Sequence, residues 1–380
     1  MKLQSLQRVI QEPSPMGSYS PGDVTFLLKE INGLITETGT EDREELIQTG
    51  HHYSEMLPIE YRPTKEYIEL FHQTLQTTAK KVALAVAIVA ELIKATKGNN
   101  VVIASLARAG TPIGILIKRY LESIYRLHIP HYSISIICGK GVDENALLYM
   151  LEKHPRAKIQ FVDGWTGKGA ITRVLQKAIK SFNEKLGTHL DDDLAVLADP
   201  GHCVSKFGTR EDFLIPSACL NSTVSGLVSR TVHRQDLIGP TDFHGAKYYR
   251  EWLSEDVSNL FVETISKHFY ELADVAKQQC SMHLIQDEGQ WITWSGERDI
   301  QRIQQDYKIN DINLIKPGVG ETTRVLLRRV PWKILVNRMD NPYLAHILLL
   351  ANDRGVPVEE CSDLSYSCCG IIRPKGEDNR

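Results

Sequence analysis

The chain has no CxxC pair. Its seven cysteines (Cys138, Cys203, Cys219, Cys280, Cys361, Cys368 and Cys369) are odd in number and scattered over 380 residues. Neither a disulfide framework nor a thiolate zinc site is indicated by that spacing, and scattered thiols in a long chain fit a reducing compartment. A long apolar run is also missing. The longest, Val82–Ile93, contains a glutamate and is far short of the ~20 residues needed to span a bilayer. It reads as a buried helix, and no membrane partner is expected. The start, Met1 to Pro15, is polar and lacks the apolar core of a secretory leader, so the expected location is the cytoplasm. A strong charge of either sign is absent too. With a net charge of -3, any nucleic-acid surface must be local rather than global.

What is present is an alternation of two periods. Turn formers dominate the first sixty residues, with a short amphipathic helix expected at Val24–Ile31. A long helix is expected from about Thr64 to Lys97, closed by Gly98. Apolar strands are then expected at Val101–Ser105, His131–Ile137, Ile159–Val162 and Leu194–Ala198. Helices at Pro112–Tyr125, Glu144–Glu152 and Ile171–Phe182 separate them. Strand–helix alternation at this spacing implies a parallel sheet with right-handed crossovers. One further long helix is expected from Tyr248 to about Gln279. After a break near 285–300 a smaller α/β/α unit follows: a helix at Ile300–Tyr307, another at Thr322–Arg329, a strand at Trp332–Val336, a helix at Pro342–Arg354 and a strand at Val356–Glu359. The expected division is a helical N-terminal region over 1–98, an α/β domain over 99–290, a small domain over 296–373 and a disordered tail over 374–380.

Two loops carry candidate chemistry. In Lys158–Ile171 an apolar strand ends at Asp163 and a glycine-rich turn opens a helix. Gly164, Gly167 and Gly169 would let a phosphate approach the main-chain N–H groups of Thr166, Gly167, Lys168, Gly169 and Ala170. Asp163 would sit at the strand's carboxyl edge, where ligands of open α/β sheets bind. In Val101–Gly114 another strand runs into Arg108, Ala109 and Gly110, where a guanidinium could hold a polyphosphate. Walker A and GxGxxG spacings are both absent.

These two loops resemble the signature and pyrophosphate loops of type I phosphoribosyltransferases. The resemblance implies an α/β fold with a parallel sheet of that type, and a site that binds phosphoribosyl pyrophosphate or a related ribose phosphate with Mg2+. Asp163, Arg108 and Lys140 would be catalytic. Ala109, Gly110 and the stretch Gly164–Ala170, including an unusual Trp165 that could stack on a base, would hold the phosphates. It further implies transfer or cleavage of a glycosidic bond on a nucleobase-type or RNA-linked substrate. The strings HHYSEMLP (51–58), CGKGVDENAL (138–147), 198–231 and GPTDFHGA (239–246) are similar to a narrower group: phosphoribosyltransferase-like proteins of bacterial tellurite-resistance and stress clusters. Some of these carry a pelota-type RNA-binding domain, and the group is in places labelled cysteine protease.

The polar tract after the fourth strand supplies Asp199, His202, Asn221, Ser222, Thr223, Ser225 and Arg230 as an acceptor pocket, with Asp143 after the second strand. Two other readings stay open: a degenerate nucleotide- or RNA-binding sensor, and a cysteine protease using Cys203 or Cys219 with His202, His233 or His244 as base. At the far end, five basic residues between 321 and 338 face one acid, and the order of parts resembles the pelota fold. Carried over, Gly318, Gly320, Glu321, Arg324 and Arg328 would contact RNA. Homo-oligomerisation is left open by the sequence.

Overall fold

The computed structural model describes residues 10–39, 42, 46, 49–286 and 291–373. The fold is mixed α/β. A mainly parallel central sheet is built from β1 (Thr25–Leu27), β2 (Val101–Ala107), β3 (His131–Ile137), β4 (Lys158–Trp165), β5 (Leu194–Ala198) and β6 (Lys206–Thr209). Strand order is β1-β3-β2-β4-β5-β6, every neighbouring pair parallel, with a short antiparallel Gly141–Val142 strand on β3. Near-continuous apolar sequence in β2, β3 and β5 follows from burial on both faces.

One face is covered by the 33-residue α1 (Lys65–Lys97), by α2 (Gly110–Tyr125), and by α5 (Ser258–Ser266) and α6 (Phe269–Ile285). The other carries α3 (Glu144–Lys153) and α4 (Ala170–Leu186), whose Leu147, Met150, Leu175, Ile179 and Phe182 pack beneath Phe161 and Val196. α1 begins after Thr64 and stops at Gly98, where φ is +82°, a conformation that favours glycine. Within its buried face Glu91 accepts hydrogen bonds from the Tyr120 and Tyr125 hydroxyls, at 2.6 and 2.7 Å, which offsets the cost of a carboxylate in the core.

The segment 24–31, expected to be helical, forms strands instead. Phe26 packs into the core on one face of the sheet and Leu27 into the core on the other. That alternation serves an edge strand paired to β3 and would be wasted on a helix. Residues 25–27 thus belong to the sheet, while α1, from the same N-terminal region, lies on it as a helical layer. The single helix expected over 248–279 is three pieces: a 3-10 segment at Arg250–Glu255, then α5, then α6. Trp252 departs from helical geometry, and the Ser258 hydroxyl donates to Asp256 while accepting the Gly226 N–H. The chain is thereby tied to the polar tract at the point where a continuous helix would have to lift away.

A second, four-stranded sheet follows α7 (Ser295–Asp306). It is formed by β7 (Ile315–Pro317), β8 (Pro331–Val336), β9 (Val358–Glu360) and β10 (Cys368–Ile372) in the order β7-β10-β8-β9, with helices α8 (Val319–Arg328) and α9 (Ala345–Asp353) packed on it. β6, β7 and β10 were not anticipated; each is short or built around glycine or proline. The expected disordered tail at 374–380 lies outside the described residues.

The two parts share one core, in which Val319, Leu326 and Ile334 join residues of the first sheet's cluster. Asp212 fastens them together. Its buried carboxylate accepts the Val319 N–H at 3.0 Å and the Ser367 N–H at 2.8 Å, and the Ser367 hydroxyl donates to its carbonyl. Asp212→Ala leaves those amides without an acceptor and should lower stability by on the order of 3 kcal/mol, read as a lower Tm and faster proteolytic separation of the two parts. Burial also pushes the Asp212 carboxyl up to about 6. Its contribution to stability is therefore full below the ordinary carboxylate range, near pH ~4, and falls as pH rises through about 6. Asp212→Asn should flatten the Tm-against-pH curve across that window.

Candidate functional site

Parallel strands deliver their carboxyl ends to one edge. Here β2 ends before Arg108, β3 before Cys138 and β5 before Asp199, while β4 runs through Asp163 to Trp165. The order reverses between β2 and β4, since β3 lies on one side and β5 on the other, and a crevice opens at such a switch point. It holds a cleft of about 980 Å³ whose walls include Tyr53, Glu60, Arg108, Ala109, Cys138, Asp163, Gly164, Trp165, Asn221, Ser225 and Arg230. The two loops singled out in the sequence do meet there. A Cβ on Gly110 would lie 2.6 Å from the Val162 carbonyl, and one on Gly164 3.3 Å from that of Ala109, so glycine permits the close approach.

Aromatic rings close over part of the Gly164–Ala170 loop. Trp165 folds over it: a Cβ on Gly167 would come within 2.6 Å of the indole ring, and one on Gly318 of the second sheet's domain within 2.5 Å. Trp294 covers Gly169 in the same way, and the Tyr366 hydroxyl donates to the Gly167 carbonyl at 3.1 Å. These glycines make room for aromatic rings. A hollow of about 290 Å³ remains beside them, bounded by Thr166, Lys168, Asn313 and Lys316. Burial and the nearby Lys316 push the Lys168 ammonium down to about 8, and its Nζ donates to the Ile312 carbonyl. Arg108 is spoken for as well, donating to Glu60 at 3.0 Å and to the Val228 carbonyl. Asp163 accepts the Gly164 N–H at 2.7 Å, and burial pushes its carboxyl up to about 7.

The expected acceptor pocket is only partly assembled. Asn221, Ser225 and Arg230 line the cleft. Ser222 and Thr223 are buried. Asp143 caps α3 and accepts the His244 N–H at 2.6 Å. Asp199, fully buried, pairs with Arg210 and accepts the Cys203 and Val204 N–H groups and the Thr166 hydroxyl. His202 stands at φ +54°, and its carbonyl accepts the Thr293 and Trp294 N–H groups, anchoring the connection between the sheets. These residues hold loops in place. Lys140 donates to Glu55 and to the His233 carbonyl.

The cysteines separate clearly. Cys203 and Cys219 are 1% exposed, and burial, reinforced by Asp199, pushes the Cys203 thiol up to about 12. That is the wrong direction for a nucleophile. Among the proposed bases, burial pushes His202 and His244 down to about 4. Cys138 alone among the described cysteines lines the cleft and is partly exposed. Its N–H donates to the Tyr53 hydroxyl at 2.8 Å, and burial together with the charge of a Cys138 thiolate pushes the Tyr53 phenol up. His52 sits over the next residue: a Cβ on Gly139 would lie 3.1 Å from its Nε2. The His52 Nδ1 is engaged by the Ser54 hydroxyl at 2.8 Å, and Arg230 lies 5.7 Å from the Tyr53 ring centre. Cys138, His52 and Tyr53 were absent from the expected site residues, although both of their strings, 51–58 and 138–147, had been singled out. The contact joins positions 85 apart in the chain, a distance only the fold resolves.

The candidate RNA residues cluster at the start of α8. Gly320, Glu321 and Arg324 form a wall of the same cleft, and Arg324 donates to the Ala218 carbonyl and to Glu321. Gly318, at φ +86°, lies against Trp165. The side chain of Arg328 lies outside the described residues.

Comparison with known proteins supplies the class of protein. Residues 17–266 match the profile described as "Tellurite-like stress resistance cysteine protease StiP", and residues 294–374 match that of the "PELOTA RNA binding domain". The chain belongs to the StiP family. A curated relative, the cysteine protease StiP of Acinetobacter baylyi (strain ATCC 33305 / BD413 / ADP1), is 33% identical over 375 residues, covering 95% of each chain. A solved structure of a C-DES mutant with glycine covalently linked to the PLP cofactor covers 87% of this chain and 86% of its own, at 11% identity and a TM-score of 0.23. At that score the likeness carries no argument.

These matches overturn the glycosyltransferase expectation, since a relative alike over almost the whole length is named a cysteine protease. The magnesium expected alongside phosphoribosyl pyrophosphate depended on that reading and loses its ground with it. No helix among the described residues is long and apolar enough to cross a membrane. Iodoacetamide applied to the native protein should modify Cys138 first, with Cys203 and Cys219 reacting only on unfolding. Peptide mapping by mass spectrometry checks the order, and Cys138→Ala should abolish the fast phase.

Proposed function

We propose that this chain is a cysteine-dependent peptide hydrolase whose nucleophile is Cys138, with RNA binding contributed by the second domain. One observation carries the reading: Cys138 is the accessible thiol of the cleft, whereas the thiols offered by the polar tract are sealed in. The family description and the relative's name support the reaction class.

The reaction follows from the groups present. The Cys138 Sγ forms a bond to the substrate carbonyl carbon as His52 takes the thiol proton, and the carbonyl π electrons move onto oxygen. Arg230 lies near enough to favour negative charge at that edge. Collapse re-forms the carbonyl and breaks the C–N bond, and the amine leaves with the proton held on His52. Water then attacks the thioester, releasing the acid and restoring the thiol. The Ser54 hydroxyl orients the imidazole through Nδ1, a positioning role analogous to the third member of a triad. The type I phosphoribosyltransferase kinship of the sheet is a separate proposal, about fold alone, because a fold fixes where a site lies and not what it does.

Cys138→Ser should abolish release of new amino termini from a denatured protein pool, scored by amine labelling. His52→Gln should lower kcat/KM by about 10²-fold or more while leaving Tm unchanged. Undiminished hydrolysis by Cys138→Ser would sink the assignment.

A further inference from the structure

We propose that RNA bound by the second domain runs into the same cleft as Cys138, so that RNA and a peptide substrate exclude one another. The inference rests on the hydrolase and RNA readings above and adds how the two are coupled. Its first support is placement. α8, within the part that matches the RNA-binding profile, presents Gly320, Glu321 and Arg324 to the cleft, with Lys316 just before it and Arg329 just after. RNA seated on that helix start would lie in the cleft that Cys138 also lines.

The second support is charge. The cleft is lined by six cations, Arg62, Arg108, Arg230, Lys316, Arg324 and Arg329, and by three acids, Glu60, Asp163 and Glu321. Glu60 and Glu321 each pair with a cation of the same lining, Arg108 and Arg324, and Arg62 pairs with Glu255, so the lining's formal excess is three cations, six less three. Asp163, the third, is pushed toward its neutral form by burial. In a chain whose net charge is -3, this concentrates positive potential in one place, as a phosphate backbone requires. Half of the six cations belong to the first domain and half to the second, so a strand lying between them contacts both. The volume of about 980 Å³ is at the upper end of small-molecule sites, ~300–1,000 Å³, and takes a length of chain rather than a single residue. An acidic peptide would answer the charge equally, but the α8 wall belongs to the RNA-binding match and decides for RNA.

The test uses the full-length protein and a fluorescein-labelled RNA hairpin carrying an internal bulge. Anisotropy measures binding, and iodoacetamide measures access to Cys138. With RNA at ten times its Kd, alkylation of Cys138 should slow by about tenfold. Arg62→Glu alters the wall farthest in sequence from the RNA-binding match, at a side chain 65% exposed. It should weaken RNA binding by about tenfold and lower the salt slope by about one, and Arg329→Glu should do the same from the other wall. RNA that binds without slowing alkylation, and without responding to Arg62→Glu, overturns the inference and leaves the hydrolase intact. Absence of RNA binding overturns it together with the RNA reading. Protection by poly-glutamate but not by RNA overturns it in favour of an acidic peptide occupant. If Cys138 resists alkylation even without RNA, the hydrolase reading fails, and the response of RNA affinity to Arg62→Glu still decides this one.

Discussion

One ring governs the geometry of this molecule. The Trp165 indole lies between two glycines, Gly167 in its own loop and Gly318 at the start of α8, and neither position tolerates a Cβ. Because one glycine belongs to each half of the chain, the contact sets how far the two halves stand apart, and with that the width of the cleft. Asp212 adds direction to this contact. Its carboxylate serves the first N–H of α8 from outside the helix, so the helix start is aimed by the partner domain as well as by its own turn. A shape contact and a charge contact thus act on the same few residues, which is where rigidity is most useful if two ligands are to compete there.

Much of the architecture is legible in the sequence. Thr64 and Gly98 bracket the long helix, and the boundaries of His131–Ile137 and Leu194–Ala198 follow from apolar runs alone. The misreadings have particular causes. At 24–31 a run of apolar residues has two faces to fill, and only knowledge of the neighbouring strand shows that the faces lie on opposite sides of a sheet. At 248–279 the helical pattern is real, but Ser258 and Asp256 bind the chain to distant loops and break it, a tertiary effect with no local signature. Short strands such as β6 are held in place by their neighbours and carry too few residues to announce themselves.

The site was legible in a different way. Glycine-rich loops after two strands led to the edge of the sheet at which the cleft opens. A glycine reports that something comes close, not what it is. In this fold the close neighbours of Gly167 and Gly169 are tryptophans. Polar residues are densest in 198–246, yet many of them hold loops together: Asp199 pairs with Arg210 and accepts the Thr166 hydroxyl. The thiol that lines the cleft sits in the shorter string 138–147, across from a tyrosine contributed 85 residues earlier and the histidine before it. Polar density here marks loops that are fastened to one another, and it does not mark the thiol that the cleft exposes.

The outer strand at 25–27 carries a temporal consequence. It completes the sheet only by lying beside residues 132–134, and Tyr19 just before it donates to the carbonyl of Val224. A ribosome delivers the first partner long before the last, so the beginning of the chain must wait for most of the domain to emerge. Until then residues 25–27 have no strand to lie beside, and the nascent chain passes through an interval in which their backbone groups are open to other strands. Assembly of this protein is consequently governed by its start arriving late.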